Sequence, residues 1–154
     1  MEVVMIYQGK AAYPVHEVIL HTSATPGNWW MNKTADQMRD TIREWHVKGN
    51  GWSDIGYHRV VAPDGTIALG RSLWTVGAHV KERNRGTIGI CMIPIATHAG
   101  IKTFKDYFTE KQAQAVRSFI REVQDLTRIK WVSGHNDYAP KECPGFKVIS
   151  GEWL

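Results

Sequence analysis

The chain has 154 residues, of which 43% are hydrophobic and 22% charged, and a formal net charge of +4. That length suits one domain spanning residues 1–154, able to bury a core without disulfide support, and the composition excludes disordered, fibrous and membrane-spanning classes. The positive charge favours an acidic partner or surface, yet its lysines and arginines form no block, so nucleic acid is not the expected partner.

Met1 to Lys10 contains Glu2 and lacks the basic start and long apolar stretch of a secretory signal, so synthesis is expected in the cytoplasm. No run of about 18 apolar residues occurs, and membrane insertion is not expected. His16 to His21 is rich in Val and Ile and predicts a strand that delivers His21 at its C-terminal end. Thr34 and Gln37 form a capping-box pattern, after which Met38, Ile42 and Trp45 recur at helical spacing until Gly49-Asn50-Gly51. Tyr57 to Ala62, the turn Pro63-Asp64-Gly65 and Thr66 to Leu69 predict a hairpin. Thr87 to Ile93 is nearly all apolar and predicts a central strand.

A second helix is predicted from Thr109, with Ala113, Val116, Phe119, Ile120, Val123 and Leu126 on one stripe. Lys130 to Ser133 then returns as a short strand. Strands alternating with helices predict an α/β domain with a central mixed sheet flanked by helices.

Chemistry concentrates where two of these strands end. Ser133-Gly134-His135 opens a proline-stiffened loop that reaches Cys143, and the strand ending at His21 supplies a second histidine. Two imidazoles and one thiolate are a donor set for catalytic zinc, which takes three protein ligands and keeps one position open. His21, His135 and Cys143 are therefore the candidate Zn2+ ligands, at one edge of the sheet. The two cysteines would allow a disulfide, but a chain without a secretory signal favours free thiols. Cys91 reads as an inert core thiol.

The segments Val18 to Thr25, Gly51 to His58, Val76 to His79, Asn84 to Ile90 and Ser133 to Phe146 together resemble zinc-dependent N-acetylmuramoyl-L-alanine amidases of the phage-lysozyme and peptidoglycan recognition protein family. The resemblance runs from about Val15 to Phe146 with the motifs in order. It implies cleavage of the amide between N-acetylmuramic acid and L-alanine in peptidoglycan, with His21, His135 and Cys143 as zinc ligands. Tyr57 and Lys141 match the residues that assist hydrolysis, and His79 and Asn84 sit in segments that border the substrate groove. An unperturbed phenol has a pKa near 10 and makes a poor base at neutral pH, so the general base stays unassigned. Asp54 and Glu142 are the nearest carboxylates by sequence, and an ordinary solvated or capping role is favoured for each.

His46 and His58 are expected to be structural and His98 to be loop surface. Among the seven tryptophans, Trp29 and Trp30 are the candidates to wall a groove, whereas Trp45, Trp52 and Trp131 are expected in core or rim packing. Arg83, just before Asn84, departs from the aromatic common in relatives and would favour a more anionic ligand. An endolysin fits best, made inside the cell and reaching the wall through a pore or lysis. A non-catalytic module that binds muropeptides, and an amidase that also regulates transcription through a protein partner, remain as alternatives.

Overall fold

The computed structural model describes residues 5–154; Met1 to Val4, and with them part of the segment read for a secretory signal, lie outside the described residues. A short antiparallel pair, β1 (Tyr7–Gln8) and β2 (Tyr13–Pro14), precedes the main sheet. That sheet is built from β3 (Glu17–Thr22), β4 (Arg59–Val61), β5 (Ile67–Leu69), β6 (Thr87–Met92) and β7 (Trp131–Gly134), in the spatial order β5-β4-β6-β3-β7. Only the β4–β5 hairpin is antiparallel; β4 and β3 flank β6 in parallel, and β7 runs parallel to β3. The sheet is thus mixed, with β6 at its centre as its apolar run predicts.

Alternation along the strands gives the sheet two unlike faces. Val18 and Leu20 of β3, with Ile88, Ile90 and Met92 of β6, point into the larger core. There they meet the stripe of α3 (Glu110–Gln124), formed by Ala113, Val116, Phe119, Ile120 and Val123, with α2 (Phe104–Tyr107) beside it. The opposite face carries His21 in register with Cys91. Met38 and Ile42 of α1 (Ala35–Glu44) cover it over β4 and β5, in a smaller core with Val60, Ala68 and Cys91.

Both predicted capping boxes form: Thr34 with Gln37 on α1 and Thr109 with Gln112 on α3. Thr109 does more than cap, because its hydroxyl also donates to Pro63 O at 2.6 Å and ties the helix to the β4–β5 turn. The buried Gln112 carboxamide then donates to Val61 O at 3.1 Å and Ile93 O at 2.7 Å, where β4 and β6 end. Thr109→Ala is expected to lower stability by about 1–2 kcal/mol, the upper part of the range for losing a cap. Urea unfolding reads it, and a loss within error would show the cap dispensable.

Two helix-stripe expectations fail, both where a helix ends. α3 stops at Gln124 with Asp125 as its cap, so Leu126 falls beyond the stripe and is 42% exposed. α1 ends at Glu44, and Trp45, its cap, is 46% exposed instead of joining Met38 and Ile42; a π-helical turn, Trp45–Gly49, continues from it.

Candidate active site

β3 and β7 lie side by side and parallel, with Leu20 opposite Gly134, so His21 and His135 leave the same end of the sheet. This is the carboxyl end of the strands, where open α/β sheets host their chemistry. The loop that follows is folded back by its own backbone: Asn136 N donates to Cys143 O at 2.8 Å, and Asn136 Nδ2 to Phe146 O at 3.1 Å. Asp137 accepts from Gly134 N at 2.9 Å and closes the first turn. Tyr138 reaches across to the buried Glu17 carboxylate and to Ser133 Oγ, pinning the loop to β3 and β7.

These constraints return Cys143 to β3, where its Sγ accepts from Thr22 N at 3.3 Å and lies 3.8 Å from His21 Nδ1. The ligating atoms of His21, His135 and Cys143 all lie within 4.8 Å of one another. Tetrahedral zinc with N and S ligands would separate donors by about 3.3–3.8 Å, from its bond lengths of about 2.0–2.3 Å. The donor set fits that ion in chemistry, and the His21–Cys143 pair, at 3.8 Å, already has its spacing. Both cysteines are free.

Burial and neighbouring positive charge keep both imidazoles neutral. Burial first, then the neighbouring His79 and His135, hold the His21 pKa well below its ordinary value. Burial and the Lys141 ammonium lower that of His135. Burial pushes the Cys143 thiol up to about 11, against the pull of the Thr22 N–H and of Lys141. Neutral imidazoles are ready to ligate, and the thiol releases its proton when a metal takes its place.

Tyr57 packs against this centre, its ring 5.1 Å from that of His21. Burial first, then the thiols of Cys91 and Cys143, raise its phenol well above 10, so at neutral pH it is a hydrogen-bond donor and not a base. The charges that bear on His21, His135 and Cys143 come from histidines and Lys141 and include no carboxylate. Asp54 is engaged elsewhere, in an ion pair with Arg43 at 2.7 Å and a bond from Ile55 N. Glu142 is exposed and its charge reaches His98.

His135 opens onto a groove of about 740 Å³, lined also by Trp52, His79, Asn84, Tyr138 and Lys141 among others. Lys141 stands exposed on its wall. Asn84 Oδ1 is spent within the protein, accepting from the backbone N–H of His79 and Val80 at 2.8 Å each. His79 is 9% exposed, with Nδ1 2.8 Å from His21 Nε2 and Nε2 3.0 Å from Thr87 Oγ1, so both nitrogens face inward.

The aromatic expectations are partly reversed. Trp52, expected in packing, lines the groove and meets His46 at a tilt with ring centres 4.8 Å apart, and His46 in turn lies 5.5 Å from Tyr57. Trp29 instead pairs with Trp45 at 5.6 Å, and Trp30 lines a separate cleft of about 310 Å³ that contains none of the three donors. His58 is structural as expected, its Nδ1 accepting from Gly89 N at 3.0 Å and its Nε2 lying 2.8 Å from Thr75 O. His98 is more than loop surface: its ring meets Tyr107 edge-on at 4.0 Å and its Nε2 bonds Thr22 Oγ1 at 2.8 Å. Arg83 stays exposed, its guanidinium pairing with Glu17 at 3.2 Å and lying over the Tyr138 ring at 4.1 Å.

A family model described as N-acetylmuramoyl-L-alanine amidase matches residues 11–146. An endolysin of Klebsiella phage KP32 is 36% identical over 132 residues, covering 86% of this chain and 82% of the relative. Among solved structures, the N-acetylmuramoyl-L-alanine amidase LysC from Clostridium intestinale URNW superposes with a TM-score of 0.69 at 26% identity, over 94% of this chain and 86% of that one. The ectodomain complex of peptidoglycan recognition proteins LCa and LCx bound to tracheal cytotoxin gives 0.71 at 28%, over 92% and 81%.

Proposed function

The chain belongs to the N-acetylmuramoyl-L-alanine amidase family, and from that premise we propose that it is a zinc hydrolase with His21, His135 and Cys143 as ligands and Tyr57 and Lys141 as catalytic side chains. It is a phage-type peptidoglycan amidase, and its substrate is the amide that joins N-acetylmuramic acid to L-alanine. The observation that carries the zinc reading is the meeting of two imidazoles and one thiol within 4.8 Å at the mouth of a groove.

Zinc held there would lower the pKa of water to about 7 and polarise the scissile carbonyl. The protein's own groups do the rest. The Tyr57 phenol, kept neutral by burial, donates a hydrogen bond beside His21 and orients the attacking oxygen or the leaving nitrogen. The Lys141 ammonium places positive charge where the amide oxygen becomes an oxyanion. His79, Asn84 and Trp52 shape the groove that takes the muropeptide. No helix among the described residues is long and apolar enough to cross a membrane. The endolysin relatives support the wall as the site of action, reached through a pore or on lysis.

Purified protein incubated with peptidoglycan is expected to release intact stem peptides bearing a free L-alanine amine, identified by mass spectrometry. Chelation should abolish release and added zinc restore it. Bound but uncut muropeptide would support the recognition-module alternative, which the presence of Cys143 beside His21 disfavours.

A further inference from the structure

The direction of the hydrogen bonds behind His21 can be worked out from one end. Thr87 opens β6, and its hydroxyl lies 2.9 Å from Arg83 O and 3.0 Å from Asn84 O. A hydroxyl has a single proton and the two carbonyls only accept, whereas a ring nitrogen can donate or accept, so the arrangement that serves all of these contacts gives that proton to the backbone. In that arrangement the same oxygen accepts from His79 Nε2, 3.0 Å away. His79 therefore carries its proton on Nε2 and offers a lone pair at Nδ1. That lone pair faces His21 Nε2 at 2.8 Å, which places the His21 proton on Nε2 and the His21 lone pair on Nδ1. Nδ1 is the nitrogen 3.8 Å from Cys143 Sγ.

His79 also sits in a slot shaped for its ring. A Cβ at Gly89 would lie 2.6 Å from His79 Cγ and 2.7 Å from Nδ1, and one at Gly77 would lie 2.8 Å from Cδ2. Its backbone is clamped by Asn84 Oδ1. Strand, turn and glycine slot all hold one ring in one orientation.

We propose that His79 is a positioning residue for the metal centre, one that accepts the His21 Nε2 proton and keeps His21 Nδ1 presented to zinc. The inference rests on the zinc reading above and assigns His79 a role other than contact with substrate. Partners that fix the ring of a ligating histidine are worth about 10–100-fold in metal affinity.

The test compares the full chain with its His79→Leu, His79→Asn and Thr87→Val variants. Zinc dissociation constants come from chelator competition, and the visible spectrum of the cobalt-substituted protein reports ligand geometry. His79→Leu is expected to weaken zinc about 10–100-fold and to alter the cobalt bands. His79→Asn, whose Oδ1 can stand in for Nδ1 as acceptor, should recover most of the loss, and Thr87→Val should shift both readouts the same way by less. Unchanged affinity and spectrum in His79→Leu would overturn the proposal, as would an asparagine variant as weak as the leucine one. Should His79→Leu not fold, Thr87→Val decides, and wild-type values there overturn it. A wild-type protein without zinc affinity would instead remove the zinc reading itself.

Discussion

Replacing Cys143 by serine is expected to leave the fold in place and to remove both zinc and amidase turnover. The loop that carries Cys143 is held by backbone and by other side chains: Asn136 N to Cys143 O, Asn136 Nδ2 to Phe146 O, and Tyr138 to Glu17. None of these involves Sγ. What Sγ does provide is the third donor, 3.8 Å from His21 Nδ1 and held by the Thr22 N–H. Serine offers a hydroxyl that stays protonated and neutral where a thiolate is needed, so two imidazoles alone would face the ion. The loss of zinc affinity should exceed about 100-fold, the upper end for losing even a supporting partner. Chelator competition measures it, with urea unfolding of the metal-free forms as the control. Stoichiometric zinc and turnover in the serine variant would show that Cys143 is not a ligand.

Much of this site is legible in the chain because its parts end regular elements. β3 reads as a strand from Val18-Ile19-Leu20 and so places His21 at its tip, and the strand before His135 is announced in the same way. Two strand ends in parallel leave two histidines at one end of a sheet. The prolines and glycines of the next segment then suggest that Cys143 comes back. The paired capping boxes likewise announce α1 and α3 by residue type alone.

What escapes sequence reading is contact between residues remote along the chain. His79 and His21 are 58 positions apart, and His98 and Thr22 are 76 apart. Neither His79 nor His98 lies on a strand or helix whose period would aim it. Exposure is hidden too: Trp45 keeps the spacing of Met38 and Ile42 but stands 46% exposed where the π-helical turn Trp45–Gly49 begins. The same turn leaves His46 against Trp52, so an aromatic expected in packing ends as part of the groove. The Glu17, Arg83 and Tyr138 cluster is hidden in the same way. Arg83 pairs with a buried carboxylate whose position in β3 gives no hint of a partner in the loop before β6.

Lys141→Ala is expected to lower turnover about 100-fold while zinc stays bound. Removing one preorganised donor to a developing oxyanion costs about 100- to 1,000-fold, and the exposure of Lys141 places it at the lower end, since solvent screens its charge. Zinc should be nearly indifferent to the change because two effects oppose each other. Without the ammonium the Cys143 thiol, already raised to about 11 by burial, holds its proton more tightly and competes better with the metal. The same deletion removes a positive charge close to where a cation must sit. Lys141→Arg keeps that charge on a planar group of different reach and should recover only part of the rate. Turnover measured at saturating zinc, beside the dissociation constant for the metal, separates the two roles. A fall in turnover that follows a matching loss of zinc would make Lys141 a support for the ligands, whereas lost turnover with zinc intact places its charge on the reacting amide.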